Sequence, residues 1–152
     1  MRILSLDPGT RNCGYAVFEE NRLLRAGCIR TNPPVYAGLL EGVSALCGEY
    51  APDLVVIEGV FRRKGYAAFH LEASGIIKAV LEQKGVKRMS YVPTEWKKLL
   101  LGNGRAKKQE VMLFLRKRGY RVKSSHEADA LALALAYLTE KGGKNSGNWL
   151  CW

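Results

Sequence analysis

Two acidic residues each follow directly on a short apolar run of the chain. Asp7 comes after residues 3–6, and Glu58 comes after Leu54-Val-Val-Ile. If these runs form adjacent strands, the two carboxylates lie close together and repel each other unless a cation lies between them. Hard oxygen ligands so placed favour Mg²⁺ or Mn²⁺, and phosphate oxygens can complete the coordination of such an ion. The pair therefore indicates metal-assisted chemistry on a phosphate ester.

A second pair of candidate ligands lies towards the C-terminal end. His126 and Asp129 stand three residues apart, so on a helix both side chains project from one face. Asp129 borders an Ala-Leu-rich segment, where an unpaired charge would be costly to bury. Ser124 and Glu127 fit the S-x-x-E capping box, which places the helix start at Ser124 and accounts for Glu127 without a metal.

Each candidate also has an ordinary structural explanation when it is taken alone. Asp7 is a turn former before Pro-Gly, Glu58 begins a loop, and a lone histidine such as His126 is more often a helix-end residue than a ligand. It is the joint occurrence of two strand-end carboxylates and a His/Asp pair on a terminal helix that favours one functional site.

The elements that must position these residues follow from the hydrophobic pattern. Three strand-like runs cover residues 3–7, 14–18 and 23–29, and further strands are predicted at 54–58 and 89–92. Apolar spacing predicts helices over residues 39–50 and 67–83, and three more over 93–101, 107–117 and 125–137. We expect an α/β fold with a five-stranded mixed sheet, three antiparallel strands followed by parallel ones, and helices on both faces. A single domain over 1–141 and a flexible tail over 142–152 complete the prediction.

Composition narrows the class of partner. Lys and Arg number 24 against 14 Asp and Glu, and the net charge of +10 favours nucleic acid over an anionic membrane. Charge alone leaves a ribosome-associated protein or a passive nucleic-acid binder open. No apolar stretch is long enough to span a bilayer, the start lacks secretory-signal features, and the four cysteines are not at metal-ligand spacing. We expect a cytoplasmic protein, in a bacterium or in the host of a phage.

Four segments together resemble the motifs of RuvC-type Holliday-junction resolvases, within the RNase H-like superfamily. They are Leu6-Asp-Pro-Gly-Thr, Gly27-Cys-Ile-Arg-Thr, Ile57-Glu-Gly-Val-Phe and His126-Glu-Ala-Asp, in the order of that family and over most of the chain. The resemblance implies an RNase H-like fold with Asp7, Glu58, His126 and Asp129 as catalytic metal ligands. Many members carry aspartate where this chain has His126, and others carry histidine, which leaves the exact coordination open.

The resemblance also implies DNA contacts. Phe61 corresponds to an aromatic that stacks on a base near the crossover, which is a favourable contact for any base. Lys97 and Lys108 match lysines near the family's active site, with Lys98 and Lys107 as alternatives one position away, and Lys108 is also a catalytic candidate. The predicted DNA-binding residues are Phe61, Arg62, Arg63, Lys64, Lys97, Lys98, Arg105, Lys107 and Lys108.

The implied function is structure-selective cleavage of four-way DNA junctions by paired nicks. The resemblance also implies two Mg²⁺ ions per site, which Mn²⁺ can replace. It further implies a symmetric homodimer formed through the helix at 67–83. Two alternatives stay open: a nuclease of broader specificity for flaps, forks or RNA, and a non-catalytic module that binds branched nucleic acid. The chain has room for only one of the two lobes of an actin-like ATPase. A branch-migration motor as partner, and the role of the tail at 149–152, are left open by the sequence.

Overall fold

The computed structural model describes residues 1–9, 11–32, 36–59 and 68–143. Five strands and five helices lie in these ranges. The strands are β1 (Arg2–Asp7), β2 (Asn12–Glu19), β3 (Arg22–Arg30), β4 (Leu54–Glu58) and β5 (Arg88–Tyr91). The helices are α1 (Ala37–Tyr50), α2 (Ala68–Gln83), α3 (Pro93–Leu101), α4 (Lys108–Lys117) and α5 (Ser125–Gly143).

The strands form one mixed sheet in the order β3-β2-β1-β4-β5. β1 to β3 pair antiparallel, whereas β4 pairs parallel with both β1 and β5. The predicted five-stranded sheet is thereby confirmed. Leu6 of β1 pairs with Ile57 of β4, so Asp7 and Glu58 take equivalent places at the carboxyl ends of two adjacent parallel strands.

Helices cover both faces of the sheet because the buried strands are apolar on both sides. Leu4 and Leu6 of β1 pack with α1 and α2 in one core cluster. Ile3, on the opposite face of the strand, packs with α3, α4 and α5 in a second cluster. Side chains alternate along a strand, so Asp7 points to the same face as Ile3, towards α5.

Three features differ from the sequence prediction. Phe69 was expected to face inward but is 39% exposed, because the buried face of α2 begins only at Ala73. Leu40, on the predicted apolar face of the first helix, is 50% exposed. α5 continues through Gly142 and Gly143, which the sequence assigned to the tail, because two glycines at about 1 kcal/mol each do not break a long packed helix at its last turn.

Within the described ranges, none of the helices has the length and apolar character needed to cross a membrane. Residues 144–152 lie outside those ranges, so the flexible tail stays a prediction.

Candidate active site

Asp7 and Glu58 form the centre of the site at the carboxyl edge of the sheet. Their carboxyl groups are hydrogen bonded to each other, and Asp7 is only 6% exposed. Burial raises the pKa of Asp7 to about 6. Burial, together with the neighbouring Asp7 carboxylate, raises the pKa of Glu58 to about 9. Two buried acids in contact cannot both ionise cheaply, so in the absence of a cation the pair holds a proton at neutral pH.

α5 brings the second predicted pair to the same place. Burial, and then the charge of Glu58, raise the pKa of Asp129 to about 6. His126 lies one turn away on the helix, and its Nδ1 is 3.7 Å from an Asp7 carboxylate oxygen. The structure therefore brings all four predicted ligands together, from β1, β4 and the first turns of α5.

The close approach of α5 depends on a glycine that the sequence analysis did not single out. Gly14 of β2 pairs with Asp7. A Cβ added to Gly14 would lie 1.9 Å from the carbonyl oxygen of His126, far inside van der Waals contact. Gly14 thus provides the space in which the start of α5 lies against the sheet. The signal was available, since a glycine inside an apolar strand often marks a close backbone approach.

Two serines fix the position of α5 along the sheet. The Ser5 hydroxyl, fully buried on β1, donates to the carbonyl oxygen of Ala130 at 2.6 Å. The Ser124 hydroxyl accepts a hydrogen bond of 3.2 Å from the Glu127 backbone N–H, as the capping motif predicts. Because Ala130 follows Asp129 directly, the Ser5 hydrogen bond also limits movement of that carboxylate relative to Asp7.

Two lysines supply positive charge to the carboxylates. The charges of Lys97 and Lys108 lower the pKa of both Asp7 and Asp129, and Lys97 does the same for Glu58, although burial outweighs these effects. Lys107 is the N-cap residue of α4, and Lys98 lines a separate groove. In each pair, Lys97 and Lys108 are thus the members whose charge acts on the candidate ligands.

The donor set fits a hard divalent cation by its chemistry. One buried carboxylate, Asp7, two partly buried ones, Glu58 and Asp129, and an imidazole converge. The three carboxyl groups have a raised pKa that a bound cation would reverse. Within the described ranges no three His, Cys, Asp or Glu side chains already surround a common ion position.

The remaining predicted DNA-binding residues fall into two groups. Lys98 and Arg105 line a groove of about 440 Å³ between α3 and the turn that follows it, together with Thr94, Glu95, Asn103 and Gly104. The groove holds none of the four candidate ligands, so it is a neighbouring surface and not the chemical centre. Phe61, Arg62, Arg63 and Lys64 lie outside the described residues, and their predicted DNA contacts stay predictions.

Comparison with known proteins gives consistent matches over almost the whole chain. The family described as crossover junction endodeoxyribonuclease RuvC matches residues 3–137. The RuvC protein of Corynebacterium diphtheriae is 34% identical over 149 residues, which cover 88% of this chain and 91% of the relative. That of Prochlorococcus marinus is 31% identical over 155 residues, with 93% and 99% covered.

Solved structures agree. Thermus thermophilus RuvC in complex with a Holliday junction substrate superposes with a TM-score of 0.79 at 28% identity, over 95% of this chain and 96% of that one. Fowlpox virus resolvase in its complex with Holliday junction DNA shares the fold, with a TM-score of 0.64 at 18% identity over 91% and 99% of the two chains. The span matched by the family contains Asp7, Glu58, His126 and Asp129.

Proposed function

The chain belongs to the RuvC family of crossover junction endodeoxyribonucleases, and on that premise we propose that it resolves four-way DNA junctions with Asp7, Glu58, His126 and Asp129 as its catalytic centre. The resemblance inferred from its motifs is confirmed, and the chain is an endonuclease. The observation that carries the proposal is the convergence of three carboxylates, one buried and two partly buried, beside two lysines. Such junctions form in chromosomal DNA, so we place the protein in the cytoplasm of a bacterium or of a phage host.

Nucleases of this family depend on a divalent metal. For this chain we propose Mg²⁺, with Mn²⁺ able to substitute, and two ions per site held by Asp7, Glu58, Asp129 and His126. When bound, the ions would polarise the attacking water and stabilise the leaving 3′-oxygen. The limited solvent exposure of the three carboxylates supports the assignment, because poorly solvated ligands attract a cation more strongly than exposed ones.

The protein's own groups orient the substrate and stabilise charge. We assign to Lys108, the first residue of α4, the neutralisation of charge on the non-bridging oxygens of the scissile phosphate, because its charge already acts on Asp7 and Asp129. Lys97 acts on the same carboxylates from α3. Both are held on helices and not on loops, which limits their movement relative to the sheet edge and favours a preorganised site.

The test is cleavage of a labelled four-way junction beside matched duplex, flap, fork and RNA–DNA hybrid, with Mg²⁺ or Mn²⁺. Paired symmetric nicks confined to the junction support the proposal. Equal cutting of flaps or forks would favour the broader nuclease, and tight binding without cleavage under either metal would favour the non-catalytic module.

Binding to DNA is expected to weaken steeply with salt, because exposed basic residues would contact backbone phosphates. About six such contacts reduce affinity on the order of a thousandfold between roughly 50 and 200 mM salt. Replacing Lys98 and Arg105 by alanine should reduce the slope of log affinity against log salt by about two, one for each lost contact. The control replaces Arg22 and Lys87 by alanine. Both residues lie at the ends of the strands away from Asp7 and Glu58, so their loss should leave the slope unchanged. Fluorescence anisotropy with an uncut junction in Ca²⁺ measures both slopes, and equal slopes would contradict the groove's role.

Paired nicking of a two-fold symmetric junction requires two active sites, and a homodimer supplies them. We propose α2 as the contact, because Phe69 and Leu71 on it are 39% and 44% exposed and a Cβ at Gly75 would meet open space. The wild-type chain is expected to be a dimer by light scattering, and Leu71→Glu a monomer that no longer makes paired nicks. Leu113→Glu, at a leucine 53% exposed on α4, is the control that should remain dimeric. A monomeric wild type would exclude this arrangement.

A further inference from the structure

Among the described residues, the largest fully buried side chain contacts the candidate active site directly. Trp96 of α3 has no solvent exposure, and its indole Nε1–H donates a hydrogen bond of 2.8 Å to Oε1 of Glu58. The rest of the ring belongs to the core cluster that also contains Val111, Leu115 and Leu131. Trp96 is therefore both a core residue and a hydrogen-bond partner of a candidate metal ligand.

Glu58 needs such a partner more than Asp7 does. Its backbone is fixed by pairing with Tyr91 of β5, but its side chain has one more rotatable bond than aspartate. The indole N–H is a donor only, so it can bond only to an acceptor oxygen. A fully buried indole N–H without a partner is unfavourable, so this hydrogen bond holds both the ring and the carboxylate in place.

The helix that carries Trp96 is itself well anchored. α3 begins with Pro93, and the Glu95 carboxylate accepts a hydrogen bond of 3.0 Å from the backbone N–H of Val92. It ends at Gly102, whose φ of 75° closes the last turn in the left-handed region. Lys97, the residue that follows Trp96, is the lysine whose charge acts on all three carboxylates. One short helix thus delivers both a donor to Glu58 and a cation to the site.

We propose that Trp96 is a positioning residue for the reaction: its indole holds Oε1 of Glu58 and thereby fixes the orientation of this carboxylate for metal binding. This inference rests on the proposed role of Glu58 as a metal ligand. Partners that orient a ligand commonly change metal affinity by about 10- to 100-fold when they are removed. The role of Trp96 should therefore be visible in metal binding itself, without DNA and without turnover.

The experiment compares the wild type with Trp96→Phe, which keeps an aromatic ring but has no donor, by Mn²⁺ titration of the metal-free full chain followed by electron paramagnetic resonance. We expect Trp96→Phe to bind Mn²⁺ about tenfold more weakly or worse, and its cleavage to need more Mn²⁺ but to recover at saturation. The matched control is Leu115→Ala, which shortens a side chain in the same core cluster. It lowers stability without removing a hydrogen-bond donor. It should bind Mn²⁺ within about twofold of wild type. Equal Mn²⁺ affinities of the two variants would overturn the proposal.

Two further measurements separate this inference from the function on which it rests. If Glu58→Gln keeps Mn²⁺ binding and cleavage, Glu58 is not a ligand, and both the catalytic centre and the positioning role are wrong. If Glu58→Gln loses Mn²⁺ binding and cleavage while Trp96→Phe has the same Mn²⁺ affinity as Leu115→Ala, only the positioning role is wrong. In the ¹⁵N spectrum of the wild type, the Trp96 indole resonance should shift with Mg²⁺. Trp149→Phe and Trp152→Phe assign it by elimination, since the chain has three tryptophans, so this test does not need Trp96→Phe to fold. An indole resonance unmoved by Mg²⁺ would also overturn the proposal.

Discussion

Asp7→Asn is expected to reduce junction cleavage on the order of a thousandfold, while making the metal-free protein more stable at pH 8. The two effects have the same cause. Asp7 is buried beside Glu58 and Asp129 and is ionised at pH 8. Its negative charge stabilises a bound cation, but it destabilises the folded protein when no cation is present. An uncharged amide of the same shape removes the unfavourable charge together with the ligand.

The sign of the stability change follows from the pKa values. An acid whose pKa is higher in the folded chain than in the unfolded chain holds its proton more tightly when folded, so stability falls as pH rises between the two values. Burial raises the pKa of Asp7 from 3.8 to about 6. That difference corresponds to at most about 3 kcal/mol, and after subtraction of the lost hydrogen bonds we expect a net gain of about 1 to 2 kcal/mol for Asp7→Asn at pH 8.

Differential scanning calorimetry in EDTA between pH 4 and pH 8 measures this effect, because the window covers nearly all of the interval between the two pKa values of Asp7. As pH rises over that window, the melting temperature of the wild type should fall, and that of Asp7→Asn should fall less. Added Mg²⁺ should substantially raise the melting temperature of the wild type only. Asp53→Asn is the matched control, because Asp53 accepts a 2.7 Å hydrogen bond from the Arg2 backbone at the opposite end of β1. It should keep cleavage and gain no stability. A destabilised Asp7→Asn in EDTA would show that the carboxylate is structural.

The sheet and the carboxylate pair could be predicted because local signals specify them. Apolar runs that end at Asp7 and Glu58 set both the strands and their exits, and the parallel pairing then fixes the two side chains side by side. The i, i+3 spacing placed His126 and Asp129 on one helical face in the same way. Such patterns depend on residues near each other in sequence, and they were sufficient for the four candidate ligands.

The contacts that were not predicted join residues distant in sequence. Trp96 and Glu58 are 38 positions apart, and Ser5 and Ala130 are 125 apart, so no periodicity links them. The choice of Lys97 over Lys98 likewise depended on the rotation of α3 about its axis, which a tryptophan anchored in the core determines. Sequence pattern identified the chemistry, whereas tertiary packing determines which neighbours orient it.

Gly14→Ala is expected to have the second large effect, through the position of α5. The added methyl group would lie 1.9 Å from the carbonyl oxygen and 2.4 Å from the carbonyl carbon of His126, both backbone atoms. The start of α5 must therefore move away from the sheet by about 1 Å or more, which displaces His126 and Asp129 relative to Asp7. A misplacement of that size costs about a hundredfold in rate, and overpacking of this kind costs about 1 to 3 kcal/mol in stability.

Gly48→Ala is the control that separates this steric effect from a general effect of removing a glycine. Gly48 lies in α1, and an added Cβ there meets nothing within 4 Å, so alanine should raise stability by about 0.5 to 1 kcal/mol and leave cleavage unchanged. Mn²⁺ titration of Gly14→Ala should show weakened binding, since two of the four ligands move together on one helix. Normal Mn²⁺ affinity with slow cleavage would instead mean that α5 is displaced only when DNA is bound. Normal Mn²⁺ affinity with normal cleavage would mean that the sheet moves to make room for the methyl group and that α5 keeps its position.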